Sequence, residues 1–348
     1  MSKMKEIALS LVEYPKGILA ADESTSTMNR RLEGIGLSGS EQNRGMWRDL
    51  ILSTNGINKY VSGVILYKET LENFYDSNKI SDLLISSGIK VGIKVDEGVE
   101  ELPFSNSEFF TKGIDGLKEN LIHYKNLGSN FTKWRSVFSI SSDTPSNKAI
   151  KFNATLLAIY ASVVQEQEMI PIVEPEILMD GDHTIEQCFS TTDRVLSELF
   201  DQINYYNVSV DSIILKPNMI LPGQQNGTFV QNKKIAQNTL ECLSKNLPID
   251  IGGVAFLSGG QSDSSATNNL KEICQLSKSF DIKYNMTFSY GRAVLASALE
   301  IWKGEDKNIL SAQEMIISRL ESISEARKKY FYTTGEVPPS TLTEAPVT

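Results

Sequence analysis

The sequence predicts an α/β chain closed into a barrel of eight β-α units, and three observations carry that reading. Eight short apolar runs, rich in β-branched residues and punctuated by Gly or Pro, recur along the 348 residues. Their starts fall 29 to 44 residues apart, room each time for a loop, a helix and a return. The first run leads into AADEST, not into the Gly-rich phosphate turn that an open doubly wound sheet would usually announce. Strands alternating with helices imply a parallel sheet, and eight of them with mostly apolar cores imply closure, the TIM-barrel architecture.

Taken in order, the N-terminal stretch Met1 to Tyr14 mixes Lys3, Lys5, Glu6 and Glu13 with apolar residues, which suits a helix ahead of the barrel and not a signal peptide. The first strand is expected at Gly17 to Asp22, the second at Val61 to Lys68 and the third at Lys90 to Asp96. Asn130 to Phe138, Met169 to Ile177 and Ser212 to Ile220 give the next three, and Asp250 to Gly259 and Tyr284 to Gly291 close the set. Between them, Ala149 to Glu168 carries Ile150, Ala154, Leu157, Ala158, Ala161 and Val164 at helical steps; Thr192 to Ile203 and Asn268 to Ser279 show the same spacing more briefly. A last helix is expected over Ser311 to Tyr330. The tail that follows is rich in Thr and Pro without an apolar period and is expected to be mobile. Residues 1–332 thus form one barrel domain and 333–348 a flexible tail.

Composition removes several classes of function. With 34 basic and 43 acidic residues the chain carries −9, so it has no basic excess to bind nucleic acid or an anionic membrane. No run approaches the roughly 18 apolar residues a membrane helix needs. Cys188, Cys242 and Cys274 are few and scattered, which suits small buried residues in a reducing cytoplasm. His123 and His183 stand far apart in no ligand spacing, so no metal site is expected, and the absence of GxSxG argues against a serine triad.

The charged residues are the informative ones. Asp22, Lys68, Lys94, Asp96, Lys133, Arg135, Glu174, Glu176 and Lys216 lie inside or at the C-terminal ends of apolar strands, the end where a barrel builds its active site. Residues two apart share a strand face, which pairs Lys94 with Asp96, Lys133 with Arg135 and Glu174 with Glu176. Lys216 in IILKPN has an apolar approach and a proline behind it. A free lysine is neutral in about one molecule in 2,500 at pH 7, so a nucleophilic one needs burial and cationic neighbours, which Lys133, Lys94 and Arg135 can supply. A Schiff base to a carbonyl substrate is the natural chemistry. FLSGGQS and FSYGRA, after the seventh and eighth strands, occupy the usual phosphate cradle of such a barrel, with backbone N–H groups and Arg292 as donors.

At these motifs the chain resembles the class I, Schiff-base fructose-bisphosphate aldolases, nearly end to end. The strings LAADEST, GIKVDEGV, FTKWRSVF, IPIVEPEILMDGDH, ILKPNM, FLSGGQS and TFSYGRA carry the likeness. The resemblance implies reversible, cofactor-free cleavage of fructose 1,6-bisphosphate to dihydroxyacetone phosphate and glyceraldehyde 3-phosphate, in glycolysis and gluconeogenesis. It implies Lys216 as the Schiff-base lysine, Glu174 as the general acid/base, and Asp22 near the C4 hydroxyl. Lys133, Arg135 and Lys94 supply positive surroundings, and Glu176 a second carboxylate bonded within the lysine cluster. Ser258, Gly259, Gly291 and Arg292 match the C1-phosphate site, Ser24, Thr27 and Lys94 the C6-phosphate side, and Ser289 is a further substrate-binding position. It also implies a homotetramer acting on small sugar phosphates.

Two departures stand out: Ser26 replaces a glycine common after the threonine of the first motif, with Thr27 replacing a serine, and no tyrosine follows Tyr332. Deleting Thr333 to Thr348 is therefore expected to leave cleavage largely unchanged. The competing expectations are a transaldolase-like transferase, which would depend on an added aldehyde acceptor, and a sugar-phosphate-binding scaffold that kept the fold alone.

Overall fold

The computed structural model describes residues 2–75, 84–105 and 107–328. Eight parallel strands, β1 (Gly17–Ala21), β2 (Val61–Leu66), β3 (Lys90–Lys94), β4 (Ser129–Phe138), β5 (Ile170–Ile177), β6 (Ile214–Leu215), β7 (Gly253–Phe256) and β8 (Met286–Tyr290), pair in chain order and close through β8 onto β1. Helices return the chain between strands, the longest being Asn147–Glu166 and Ile185–Tyr205. This is the barrel expected. The tail expected over 333–348, with Tyr332, lies outside the described residues.

Two hydrophobic clusters hold it. The larger packs the helices onto the outside of the barrel. The smaller fills the barrel's interior with Ile18, Ile65, Phe131, Ile172, Ile214 and Ala255, closed from below by Ala8, Leu11 and Val12 on or beside the N-terminal helix Lys3–Leu11. Phe131 leaves no room opposite it: a Cβ on Gly92 would sit 2.1 Å from its ring, so that position has to be glycine. At the same end Arg327, fully buried, donates to the carbonyls of Val12, Lys16 and Met286, tying the last helix to the strand starts.

The differences from the sequence reading lie at element ends. The sixth strand shrinks from Ser212–Ile220 to two residues, because Val210–Ser212 is a turn of 3₁₀ helix and Pro217 has no N–H to continue a ladder. The seventh narrows to Gly253–Phe256, and the second stops at Leu66 because Lys68 opens the helix Lys68–Tyr75. The last helix is Ile309–Ala326, and Asp263–Leu276 replaces the expectation at Asn268 to Ser279. A small hairpin, Val99–Glu101 with Phe109–Thr111, was not foreseen; it is too short to show an alternation.

Candidate active site

The end of the barrel opposite the N-terminal helix holds a cleft of about 1280 Å³. Each strand delivers its charges there by position. Asp22 is the residue after β1, Lys94 ends β3 with Asp96 two residues on, and Lys216 follows β6. Lys133 and Arg135 alternate along β4 with Trp134, which turns away to lie against Tyr160 under the outer helices, ring centroids 5.4 Å apart. Glu174 and Glu176 alternate along β5 in the same way. The fourteen residues that the resemblance implies all line this one cleft, among them Ser24 and Thr27 at the start of helix Thr25–Gly34, and Ser258, Gly259, Ser289, Gly291 and Arg292 across from them.

The cluster at the bottom of the cleft is a chain of buried ion pairs. Lys216 Nζ lies 3.0 Å from Glu174 Oε1, and Lys133 Nζ lies 3.3 Å from Oε2 of the same carboxylate. Lys133 also reaches Asp22 at 2.7 Å and stands 4.0 Å from Asp96, which in turn holds Lys94 at 2.6 Å. Burying charge is costly unless partners remain in reach, and here each does. Burial works against the charge on Lys133, but Asp22, Glu174 and Asp96 outweigh it and hold the ammonium well above the ordinary lysine range. Burial likewise opposes ionisation of Asp22, and Lys133, Lys216 and Lys94 overcome it, holding the carboxyl well below its usual range. Lys133 is thus a fixed cation with three carboxylates around it, whereas Lys216 shares the one carboxylate of Glu174 with it.

Glu176 stands apart from the lysines. Its Oε2 accepts from Arg135 Nε at 2.5 Å, so it pairs with the arginine and not within the lysine cluster as the resemblance implied. The register explains this: Glu174 stands opposite Arg135, and Glu176 one pair further out, opposite Val137. Across the cleft lie the ends of β7 and β8. Ser289 Oγ is buried there with no hydrogen-bond partner among the described residues, and Gly291 opens the helix Arg292–Trp302 with Arg292 at its first turn. Gly259 leaves the turn close to its neighbours: a Cβ there would fall 2.8 Å from Glu176 Oε1 and 2.9 Å from Leu257 Cδ1, so those side chains would have to shift. On the opposite wall Ser24 caps its helix, accepting from the Thr27 N–H, and donates to the Thr27 hydroxyl at 3.1 Å.

A profile of the family described as fructose-bisphosphate aldolase class-I matches residues 3–343. The chain belongs to that family. Among its relatives, fructose-bisphosphate aldolase C-B of Danio rerio is 42% identical over 96% of this chain and 92% of its own. Fructose-bisphosphate aldolase 4, cytosolic, of Arabidopsis thaliana is 43% identical over 89% and 79%. Among solved structures, the fructose-bisphosphate aldolase of Plasmodium falciparum, crystallised with TRAP and a small-molecule inhibitor, superposes with a TM-score of 0.90 at 39% identity, covering 94% of each chain.

Within this family member, the sequence reading missed part of the cleft wall. Arg30 and Arg31 line it beside Lys68 and Tyr67. The signal was there: Arg30 and Arg31 follow Thr27 by three and four residues, so one helix face carries all of them. Glu23, also passed over, is a buried anchor for that helix, 2.7 Å from Arg48 and paired with Arg31. His183 is buried with its loop, whose carbonyl accepts from Gly223 N–H. The three cysteines are buried too, and burial pushes Cys188 up to about 11 and Cys242 and Cys274 up to about 12, so none is a thiolate near neutrality.

Proposed function

We propose that this chain cleaves fructose 1,6-bisphosphate reversibly through a Schiff base on Lys216. The observation that carries the reading is the shared carboxylate of Glu174, 3.0 Å from Lys216 and 3.3 Å from Lys133. Lys133, with three carboxylates around it, is kept charged, and the nucleophile we assign is Lys216, which passes a proton to its neighbour and attacks the C2 carbonyl. Glu174 takes that proton and returns it to the C2 hydroxyl, which departs as water and leaves the iminium. The iminium is the electron sink for the next step. Asp22, ionised beside Lys133, removes the C4 hydroxyl proton, the C3–C4 bond breaks, and glyceraldehyde 3-phosphate leaves. The remaining enamine takes a proton at C3, balancing the one that Asp22 removed and gives up again, and water then hydrolyses the iminium to free dihydroxyacetone phosphate and Lys216.

The two ends of the substrate divide between the two walls. Ser258, Gly259, Ser289, Gly291 and Arg292 take the C1 phosphate, and Ser24, Thr27 and Lys94 the C6 phosphate. Holding both phosphates fixes the C3–C4 bond over the charge cluster, so binding energy is converted into orientation. The protein acts in the cytoplasm as a homotetramer, a state that sedimentation of the purified chain would report as four times the chain mass.

The test is cleavage of fructose 1,6-bisphosphate in excess EDTA, with a borohydride quench and mass analysis of the Lys216 peptide. The expected outcome is activity with a triose-phosphate adduct on Lys216 that Lys216→Met removes. An adduct that persists in the variant would move the nucleophile elsewhere, to Lys133 first.

A further inference from the structure

Lys216 and Glu174 sit on neighbouring segments whose backbone ladder is interrupted between them. β5 and β6 pair at Ile172 with Ile214 and at Val173 with Leu215, and Lys216 N–H still donates to the Val173 carbonyl at 2.8 Å. In a parallel ladder, a residue that donates to one partner accepts from the residue two further along that partner strand. The donor to the Lys216 carbonyl would therefore be Pro175, which has no N–H; Pro217 faces the other neighbour, its carbonyl accepting from the Leu257 N–H. The two segments that carry the nucleophile and its acid/base lose their ladder at the point where the chemistry needs them fixed.

Asn218 bridges the gap. Its side chain is buried, at 2% exposure, and its Oδ1 accepts from the Ile177 N–H at 3.0 Å. Its Nδ2 donates back to the Met219 carbonyl at 3.0 Å and contacts Cys188 Sγ, so the amide is held from both ends. A side-chain oxygen thus stands where a ladder carbonyl would otherwise be. Ile177 lies one residue past Glu176 and three past Glu174, and Asn218 two past Lys216.

We propose that Asn218 is a positioning residue for the Schiff-base reaction: it splints the end of β5 to the segment after β6 and so sets the approach of Glu174 to Lys216. The inference rests on the reaction proposed above. It concerns the proton-transfer geometry and not the phosphate sites, which other loops build.

The test compares the full-length wild type with Asn218→Leu and Asn218→Asp. Losing the acceptor in Asn218→Leu is expected to lower kcat for fructose 1,6-bisphosphate roughly 10- to 100-fold while KM moves less than about threefold. Borohydride trapping of dihydroxyacetone phosphate slows in parallel, and the Ile177 amide exchanges faster with deuterium. In Asn218→Asp the protonated acid restores both acceptor and donor, so kcat climbs back toward wild type as the pH is lowered from about 8 to about 6, a response the wild type lacks. An Asn218→Leu enzyme with unchanged kcat, or one that loses affinity alone, overturns the proposal. If that variant fails to fold, a pH response of Asn218→Asp identical to that of the wild type overturns it instead. Should the wild type itself neither cleave nor trap, the functional reading fails. Ile177 exchange then decides the splint by itself, since unchanged protection in the variants overturns it.

Discussion

At the scale of single residues, the site is an argument about which charges are allowed to move. Lys133, its side chain 4% exposed, is the counterion for Asp22 and Glu174 together, so its removal takes the nearest cation from Asp22 and leaves Glu174 with Lys216 alone. Lys133→Met is expected to cut kcat on the order of 10²- to 10⁴-fold as those carboxylates take up protons near neutrality. The check is a pH-rate profile, whose acid limb should move to higher pH; an unmoved limb would mean that Lys133 acts only as packing. Gly259 makes a separate case. A methyl group there meets Glu176 Oε1 and Leu257 at under 3 Å, so Gly259→Ala has to push the phosphate turn or the Arg135–Glu176 pair aside. KM for fructose 1,6-bisphosphate is expected to rise about tenfold with kcat changed far less, because the lysine cluster lies deeper. A fall in kcat at unchanged KM would place Gly259 in the chemistry instead.

At the scale of elements, the sequence was most legible where periodicity and charge coincide. β4 and β5 alternate apolar residues with Lys133, Arg135, Glu174 and Glu176, and both strands appear close to their expected limits. β6 was misjudged because an apolar run says nothing about pairing partners, and prolines at 175 and 217 stop the ladder whatever the hydrophobicity. Arg30 and Arg31 were overlooked for a related reason: the first motif was read as a strand end, while the helix that begins at Thr25 carries the arginines to the cleft. The N-terminal helix was legible as a helix, but its place was not, since closing the barrel's lower end depends on contacts with Ile18, Ile170 and Ile214 that no local pattern encodes. That place carries an energetic prediction. Leu11 is fully buried at the barrel floor, so Leu11→Ala is expected to cost about 3 kcal/mol by denaturant unfolding, with KM unchanged because the cleft lies at the other end. A cost below about 1 kcal/mol would show the helix to be an appendage and not a plug.

At the scale of the whole molecule, the same charge cluster that supports catalysis shapes stability against pH. Asp22 has its folded pKa below the ordinary 3.8, so its contribution is complete above that value and drains away as pH falls. Lys133 has its folded pKa above the ordinary 10.5, so its contribution is complete below that value and is lost as pH rises past it. The two together give a plateau between roughly pH 4 and pH 10, bounded by the ordinary carboxylate and lysine ranges. Glu23 strengthens the acid edge: burial opposes its charge, but Arg48 and Arg31 hold its carboxyl below the usual range. On the alkaline side the chain's −9 only grows, adding self-repulsion to the loss of the lysine. The melting temperature of the wild type is therefore expected to stay level across the plateau and fall at both edges. In Lys133→Met the alkaline fall should flatten, while the acid fall persists in reduced form through Glu23, which that substitution leaves paired. If both edges were to survive unchanged in the variant, the stability of this barrel against pH would come from its surface charges, and the buried cluster would serve the reaction alone.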